Sequence, residues 1–224
     1  MRKFVATNPF IRTMNKILTG ALLLLFSSSA AAQTPRDSIA FATAQWRTAD
    51  LGGGAECRYA QIDMFGSRQS ISVATYPGRR FTTSIVHLDR RAESTSDLGK
   101  AAGAEIAVNG SYFNVKTFEP VTFVLLDRKI VGRTTPEEAF RTNGVIAFKD
   151  RTTQYADVAR RYRSALAAGP VLIDGGKVVE YTSGSSFYTR RHPRTLIGKR
   201  ADGTVVMAVI DGRFKGQGDG ATIA

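Results

Sequence analysis

The sequence has a single cysteine, Cys57, among its 224 residues. One cysteine excludes an internal disulfide, so the folded chain depends on its hydrophobic core for stability. Cys57 begins a stretch in which apolar and polar residues alternate, which is typical of a β-strand. We therefore interpret it as a small buried apolar residue rather than a nucleophile.

Histidine is almost as scarce, since the sequence has two, His87 and His192. Neither lies near acidic residues at a zinc-binding spacing, and the sequence has no G-x-S-x-G elbow. These observations argue against a zinc enzyme and against a serine hydrolase with a histidine base. No cofactor is predicted with certainty, and calcium bound by aspartates and carbonyl groups stays an open alternative.

The sequence also lacks an apolar run long enough to cross a membrane. Ile17 to Phe26 is a run of ten apolar or small residues, whereas a membrane span needs about 20. Lys16 precedes the run, and small residues ending in Ala32 follow it. This order predicts a signal peptide over residues 1–32, translation starting at Met14, and a periplasmic or extracellular protein without a membrane span.

Acidic residues are outnumbered, with 19 against 31 basic ones. Residues 1–32 contain four basic residues and no acidic one, so the remaining chain keeps 27 basic residues and a net charge of +8. Such a charge favours anionic partners or serves solubility alone. Nucleic acid is not an expected partner, because no recognition motif accompanies the charge.

Short apolar segments separated by Asp-Gly-type turns dominate the rest of the chain. They predict one α+β domain with a mostly antiparallel or mixed β-sheet core and few helices. Residues 33–56 are interpreted as a lead-in with a glycine-rich joint, and residues 57–224 as the domain. Two helices are predicted, one from Leu98 to about Ala102 after a cap at Ser94, Thr95 or Ser96, and one from Val158 to Ala168.

A hairpin near the end carries charged residues at its rim. Its strands are His192 to Gly198 and Val205 to Ile210, joined at Asp202-Gly203. Every residue from Val205 to Ile210 is apolar, so this strand is predicted to be buried on both faces. Asp211, Gly212 and Arg213 follow it directly, which predicts a charged site at the edge of a rigid sheet.

Four motifs occur in a characteristic order. They are Asn109-Gly110-x-Tyr112-Phe113, Gly169-Pro170-x-Leu172 with Asp174-Gly175, Pro193-Arg194-Thr195-x-x-Gly198, and Asp211-Gly212-Arg213. From Tyr59 to the C-terminus the sequence resembles the phosphodiester glycosidase family, whose bacterial members are exported and often related to exopolysaccharide synthesis. Members of that family continue to a glycine-rich Asp-Gly-Gly-Gly-Ser segment that is not reached here, so the resemblance predicts a truncated C-terminus.

The resemblance implies hydrolysis of a sugar-1-phosphodiester, with a sugar-phosphate or glycan as substrate. In that reaction Arg194 would hold the phosphate, and Asp211 would activate water or stabilise an oxocarbenium-like centre. Asn109 would orient the sugar as the third catalytic residue. The predicted substrate-binding residues are Gly110, Tyr112, Thr195, Gly212 and Arg213.

Each of these residues also has a structural interpretation that the sequence leaves open. Arg194 could form a salt bridge, whereas Asp211 and Asn109 could stabilise turns. Arg213 could bind either phosphate or Asp211. Thr195 alternates away from Arg194 on a regular strand, so both would face one pocket only across a β-bulge.

Glycosidases normally use two carboxylates, and the second acid is not identified. Asp174 is a weaker second candidate, and the acid could also belong to the absent C-terminal segment. Activity of this chain is therefore uncertain. The alternative function is a non-catalytic glycan-binding or envelope-associated domain on the same scaffold.

Overall fold

The computed structural model describes residues 2–4, 35–147 and 160–223. The strands are β1 (Arg2–Phe4), β2 (Arg47–Gly52), β3 (Ala55–Met64), β4 (Ser67–Pro77), β5 (Phe81–Thr83), β6 (Val124–Leu126), β7 (Lys129–Gly132), β8 (Gly144–Ala147), β9 (Ala165–Ala168), β10 (Ile173–Asp174), β11 (Lys177–Val178), β12 (Arg194–Lys199) and β13 (Thr204–Ile210). The helices are α1 (Pro35–Ala42), α2 (Thr95–Ala101) and α3 (Ser186–Thr189), with a 3-10 turn at Pro136–Arg141. The strands are mostly antiparallel, which confirms the predicted α+β class.

A five-stranded antiparallel sheet forms the larger half, in the order β12-β13-β4-β3-β2. The predicted alternation in β3 is confirmed, since Ala60, Ile62 and Met64 are buried while Gln61 and Asp63 are exposed. Tight turns join the strands because the connecting residues, such as Gly66 and Gly203, adopt the positive φ that glycine tolerates.

The predicted C-terminal hairpin is confirmed, but the burial of β13 is lower than expected. In β13 only Met207 is buried, and the other residues are partly exposed. The reason is that α1 packs against β3, three strands from the edge strand β12, and leaves this end of the sheet thinly covered. An apolar run therefore overstated the burial of the second strand in the sheet.

A four-stranded sheet, in the order β7-β6-β9-β8, forms the smaller half. Its core contains Phe123, Leu125, Val145, Tyr162, Ala165 and Ala167. The predicted helix over residues 158–168 is wrong where the structure describes it beyond Arg161, because Ala165–Ala168 is strand β9. Ala165 and Ala167 are fully buried while Leu166 and Ala168 are partly exposed, which is the alternation of a strand. Residues 158–159 lie outside the described residues.

Helix α2 is confirmed near its predicted position. The Ser94 side chain accepts a hydrogen bond from the backbone N–H of Asp97 at 3.1 Å, and the chain leaves the helix at Gly103 with a φ of 60°. Residues 105–108 do not form a strand. Instead, Ile106 and Ala107 are buried, and they lead the chain toward the space between the two sheets.

The predicted lead-in contributes to the sheet rather than preceding it. Strand β2 and the start of β3 lie within residues 33–56 and pair with each other. In addition, β1 pairs in parallel with β5, and it lies in the segment predicted as a signal peptide. Among the described residues, no helix is both long and apolar enough to span a membrane.

Candidate functional site

The loop at residues 109–112 lies between the two sheets. On the side of the four-stranded sheet, the Tyr112 hydroxyl donates a hydrogen bond to the Gly169 carbonyl at 2.8 Å. Gly110 lies so near Leu166 that a Cβ atom there would come within 3.2 Å of the leucine side chain. The motif glycine thus permits close packing of the loop on the sheet.

On the other side, the loop is bonded to the edge strand of the five-stranded sheet. The Thr195 hydroxyl donates a hydrogen bond to the Asn109 side-chain oxygen at 2.5 Å. Asn109 is exposed and Thr195 partly exposed. Two residues that the sequence placed 86 positions apart are therefore brought together at an accessible surface.

Asp211 lies on the same sheet face as Thr195. Thr195 pairs with Val209, and Asp211 is two residues further along that strand, so their side chains point to one face. Diagonal neighbours of this kind are roughly 7–8 Å apart. The predicted carboxylate and the predicted sugar-orienting residues therefore share one surface.

Neighbouring strands fix the position of the Asp211 carboxylate. Its Oδ2 accepts a hydrogen bond from the Ser70 hydroxyl at 2.9 Å, and its backbone N–H donates to the Ser70 carbonyl at 2.9 Å. The Ser70 hydroxyl is also 3.2 Å from the Tyr59 hydroxyl. Ser70 is buried while Asp211 is partly exposed, so the Asp211 carboxylate is fixed by Ser70 and still reaches solvent.

Arg194 starts on the opposite face, because it pairs with Ile210 and the register of β12 with β13 has no bulge. Its guanidinium donates to main-chain carbonyls, from Nε to Ala221 at 3.0 Å and from Nη2 to Phe187 at 2.6 Å. A third and longer bond reaches the Arg190 carbonyl. Arg194 thus holds the surrounding loops, and Thr195 faces away from it.

The charge of Arg194 is poorly compensated within the described part of the chain. Partial burial lowers the pKa of its guanidinium, an effect that the nearby Tyr112 partly offsets. The described residues place no carboxylate within ion-pair distance of it. A half-buried cation bonded only to neutral carbonyls favours an anionic ligand.

Arg141 is a second arginine at this site, and the sequence analysis missed it. Its guanidinium carbon lies 4.2 Å from the centre of the Tyr112 ring and 5.0 Å from that of Phe187. Arg194 lies 5.0 Å from the same Phe187 ring. Two guanidinium groups therefore flank one phenyl ring, and both act to lower the pKa of Tyr112, which burial raises more strongly.

Glu138 is the carboxylate nearest to this arginine pair. It receives hydrogen bonds from Arg141 Nε at 2.6 Å and from Nη2 at 2.5 Å, and both side chains are mostly buried. The spacing of three residues in a helical turn predicts that the two can pair. Nothing local in the sequence places the pair against Tyr112.

The remaining predicted residues have different environments. Gly212 is buried, and a Cβ atom there would lie 2.4 Å from the Pro193 nitrogen. Because glycine has no Cβ atom, the backbone at this position can pack closely against Pro193. Arg213 is exposed at a φ of 69°, and the structure gives its side chain no acceptor among the described residues. Asp174 lies exposed at the end of β10, directly before the turn of the β10–β11 hairpin.

Outside this cluster lie Cys57 and His192, which were considered above for nucleophilic or zinc chemistry. Burial, together with Glu56, raises the pKa of the Cys57 thiol, which disfavours the reactive thiolate. His192 is bonded through its ring to the Ser186 carbonyl at 3.1 Å. Within residues 2–4, 35–147 and 160–223, no three His, Cys, Asp or Glu side chains are grouped as metal ligands.

The described residues therefore form two groups, one on each face of strand β12. The first group contains Asn109, Thr195 and Asp211, and the second contains Arg194 and Arg141 with aromatic rings between them. The loop from Asn109 to Tyr112 runs along both. The arrangement offers one accessible carboxylate, neutral hydrogen-bonding groups and two cations.

Comparison with known proteins identifies the family of the chain. No curated protein matches the chain. A family model described as phosphodiester glycosidase matches residues 102–224, more than half of the sequence and every predicted site residue. The chain therefore belongs to the phosphodiester glycosidase family.

Proposed function

We propose that the protein is an exported hydrolase that cleaves the glycosidic bond of a sugar-1-phosphodiester in glycans or envelope polysaccharide. The observation that carries the proposal is the position of Asp211 and Thr195 on one sheet face inside the matched family region. Asn109, bonded to Thr195, adds an amide beside them.

The reaction needs little help for its leaving group. Water adds to the anomeric carbon as the bond from that carbon to the phosphate oxygen breaks, and the bonding electron pair leaves with the phosphate monoester. The second pKa of such a monoester is about 6, so it departs as a stable anion. A strong general acid is therefore less important than a base and a binding site for the phosphate.

Asp211 has the surroundings of the base or electrostatic stabiliser. Ser70 holds one carboxylate oxygen, which leaves the other for water or for the positive charge that develops on the sugar ring. A proton taken from the attacking water would reside on this carboxylate until it exchanges with solvent.

The arginine pair would bind the phosphate across the edge strand β12, since Arg194 and Asp211 lie on opposite faces of the sheet. Arg194 has an uncompensated charge, and Arg141 is fixed beside it by Glu138. Guanidinium groups bind phosphate oxygens through paired hydrogen bonds, which suits this task. The sugar hydroxyls would then lie near Asn109 and Thr195, with Gly110 allowing close approach of the backbone.

Export is proposed from residues 1–32, most of which lie outside the described residues. A start at Met14 and cleavage after Ala32 each leave the protein without strand β1, so β5 would lack this partner. The expected mature N-terminus is Gln33, and the expected start of the precursor is Met14. Intact-mass measurement of secreted and unprocessed protein tests both, and an unprocessed mass that begins at Met1 contradicts the start at Met14.

The test of activity is the release of free reducing sugar from a synthetic N-acetylglucosamine-1-phosphodiester. We expect turnover by the wild-type chain and a loss of about 100-fold or more in kcat for Asp211→Asn. Asp63→Asn is the matched control, because it makes the same change at an exposed position of β3 to which no catalytic role is assigned.

Two results would overturn the proposal. Equal turnover by wild type and Asp211→Asn would remove Asp211 from the reaction. Binding of the phosphodiester by wild type, without release of sugar at any enzyme concentration, would instead identify a non-catalytic glycan-binding domain.

A further inference from the structure

A cluster of exposed basic residues lies on the four-stranded sheet, away from the candidate site. It consists of Arg128, Lys129, Arg160, Arg161 and Arg163, and is called the basic patch below. Asp127 is the one acidic residue within these same stretches, 127–129 and 160–163, so they carry a formal charge of +4. The patch thus concentrates positive charge on one small area.

Two hydrogen bonds to main-chain carbonyl groups bring the two segments of the patch together. The backbone N–H of Arg128 donates to the Arg163 carbonyl at 2.8 Å, and the Arg128 guanidinium reaches the Arg160 carbonyl at 3.5 Å. Arg163 also pairs with Asp127 at 2.6 Å. The neighbouring Tyr162 is buried in the core, which anchors the segment that carries three of the arginines.

The ratio of basic to acidic residues is higher in the basic patch than in the ion pairs found elsewhere in the described residues. Other described ion pairs join one basic and one acidic residue, as in Arg58 with Glu56, Arg68 with Asp63 and Arg90 with Glu119. Arg160 has an interaction of its own, and the other four basic residues of the patch are matched by one acidic residue, Asp127. Like charges so close repel one another, so the arrangement favours an anionic partner that neutralises several of them together.

The turn at Asp127-Arg128 has a backbone conformation that is unusual for an arginine. Both residues adopt positive φ, 46° and 65°, a left-handed conformation that is sterically unfavourable for an arginine. Asn-Gly or Asp-Gly would satisfy such a turn without that cost. The arginine is present at a position where the backbone alone would favour glycine.

The position of the patch relative to the candidate site determines what could bind there. Strand β9 runs from the patch toward Gly169, whose carbonyl accepts the Tyr112 hydrogen bond. Gly169 follows Arg163 by six positions, which would span roughly 20 Å if the chain is extended. A single long ligand could therefore contact both regions, whereas a short one could not.

We propose that the basic patch binds a remote part of a polymeric substrate, a glycan chain with repeated phosphodiester groups, while one linkage occupies the candidate site. This inference rests on the proposed function. Four of the five basic residues are arginines, whose guanidinium groups suit phosphate oxygens. Binding at a second site raises the effective concentration of the chain at the first.

The test uses a triple variant, Lys129→Gln, Arg160→Gln and Arg161→Gln, in the full chain. The matched control is Lys177→Gln, Lys199→Gln and Arg200→Gln, which removes the same charge from exposed positions on other strands and turns. The binding probe is long-chain inorganic polyphosphate. We expect the patch variant to bind it about tenfold more weakly, with a salt dependence lower by about two in the log–log slope, and the control to change little.

Equal weakening by both variants would overturn the proposal, because overall charge alone would then explain binding. So would stronger wild-type binding to phosphatidylglycerol vesicles or to single-stranded DNA than to polyphosphate, each compared at equal phosphate and salt. A circular-dichroism melt of both variants matching wild type is expected, since all six side chains are exposed.

Binding of polyphosphate does not depend on hydrolysis, which separates this inference from the proposed function. If no substrate is cleaved but the patch variant alone loses binding, the proposed function fails and the binding surface remains. If a short sugar-1-phosphodiester is cleaved but the patch variant binds polyphosphate like wild type, the basic patch proposal alone fails.

Discussion

The hydroxyl of Thr195 donates a hydrogen bond to the side-chain oxygen of Asn109 at 2.5 Å, joining the edge strand of one sheet to the loop that contacts the other. We expect Thr195→Val to lose this bond, whereas Thr195→Ser keeps the donor. Because one such hydrogen bond contributes about 0.5–1.5 kcal/mol, kcat/KM on the phosphodiester should fall about threefold to tenfold for the valine variant. Steady-state kinetics check this, and equal rates for the valine and serine variants would contradict it.

Replacing Arg194 by lysine tests whether its carbonyl bonds or its charge matter for folding. Lysine keeps the charge but cannot donate from a planar fork to both Ala221 and Phe187. We expect Arg194→Lys to lower the free energy of unfolding by about 1–3 kcal/mol in urea denaturation. Arg213→Lys is the control, since Arg213 is exposed, and its denaturation midpoint should match wild type.

Tyr112 gives a prediction for alkaline pH. Burial raises the pKa of Tyr112 above the ordinary value of 10.0, and ionisation would also break the hydrogen bond that its hydroxyl donates to Gly169. Below pH 10 both the folded and unfolded states keep the proton, so this residue contributes no pH dependence there. Above pH 10 the unfolded state ionises first, so stability should fall as pH rises toward the folded pKa.

Tyr112→Phe should reduce that alkaline loss of stability. The measurement is urea denaturation of wild type and variant at several values between pH 8 and pH 11. Tyr76 behaves in the same direction, because burial raises its pKa too, so part of the loss remains in the variant. Identical pH profiles for both proteins would show that Tyr112 ionises freely in the folded state.

Gly212 is predicted to tolerate no side chain. A Cβ atom at this position would lie 2.4 Å from the Pro193 nitrogen, which forces the two strand ends apart. We expect Gly212→Ala to destabilise the fold by about 1–3 kcal/mol, as overpacking usually does. Gly198→Ala on the neighbouring strand is the control, because nothing lies within 4 Å of its Cβ position. Thermal melts of the two variants should differ clearly, and coincident melts would contradict the prediction.

The hairpins were predictable because their information is local. In β3, alternation of Ala60, Ile62 and Met64 with polar residues reports which side meets the core. At Asp202-Gly203 the turn chemistry fixes where the chain reverses. Residues 158–168 were not predictable in the same way, because apolar positions 158, 162, 165 and 166 fit a helix until pairing with β6 and β8 makes Ala165–Ala168 a strand.

The candidate site shows the same distinction between features that local sequence patterns predict and features that depend on tertiary contacts. Alternation correctly placed Thr195 away from Arg194, since both belong to one regular strand. Arg141 was missed because its position against Tyr112 depends on a tertiary contact between segments 29 residues apart. The role of Arg194 as a phosphate ligand stays a prediction, and its bonds to carbonyl groups could not be read from neighbouring residues.

The loop from Asn109 to Tyr112 is attached to both sheets at once, through Thr195 at one end and Gly169 at the other. A shift of one sheet against the other would therefore change the distance between the carboxylate of Asp211 and the arginine pair. The geometry of the proposed site is consequently set by packing in the cores of the two sheets. Substitutions deep in the four-stranded sheet would act on turnover mechanically, through the spacing of groups whose chemistry is unchanged.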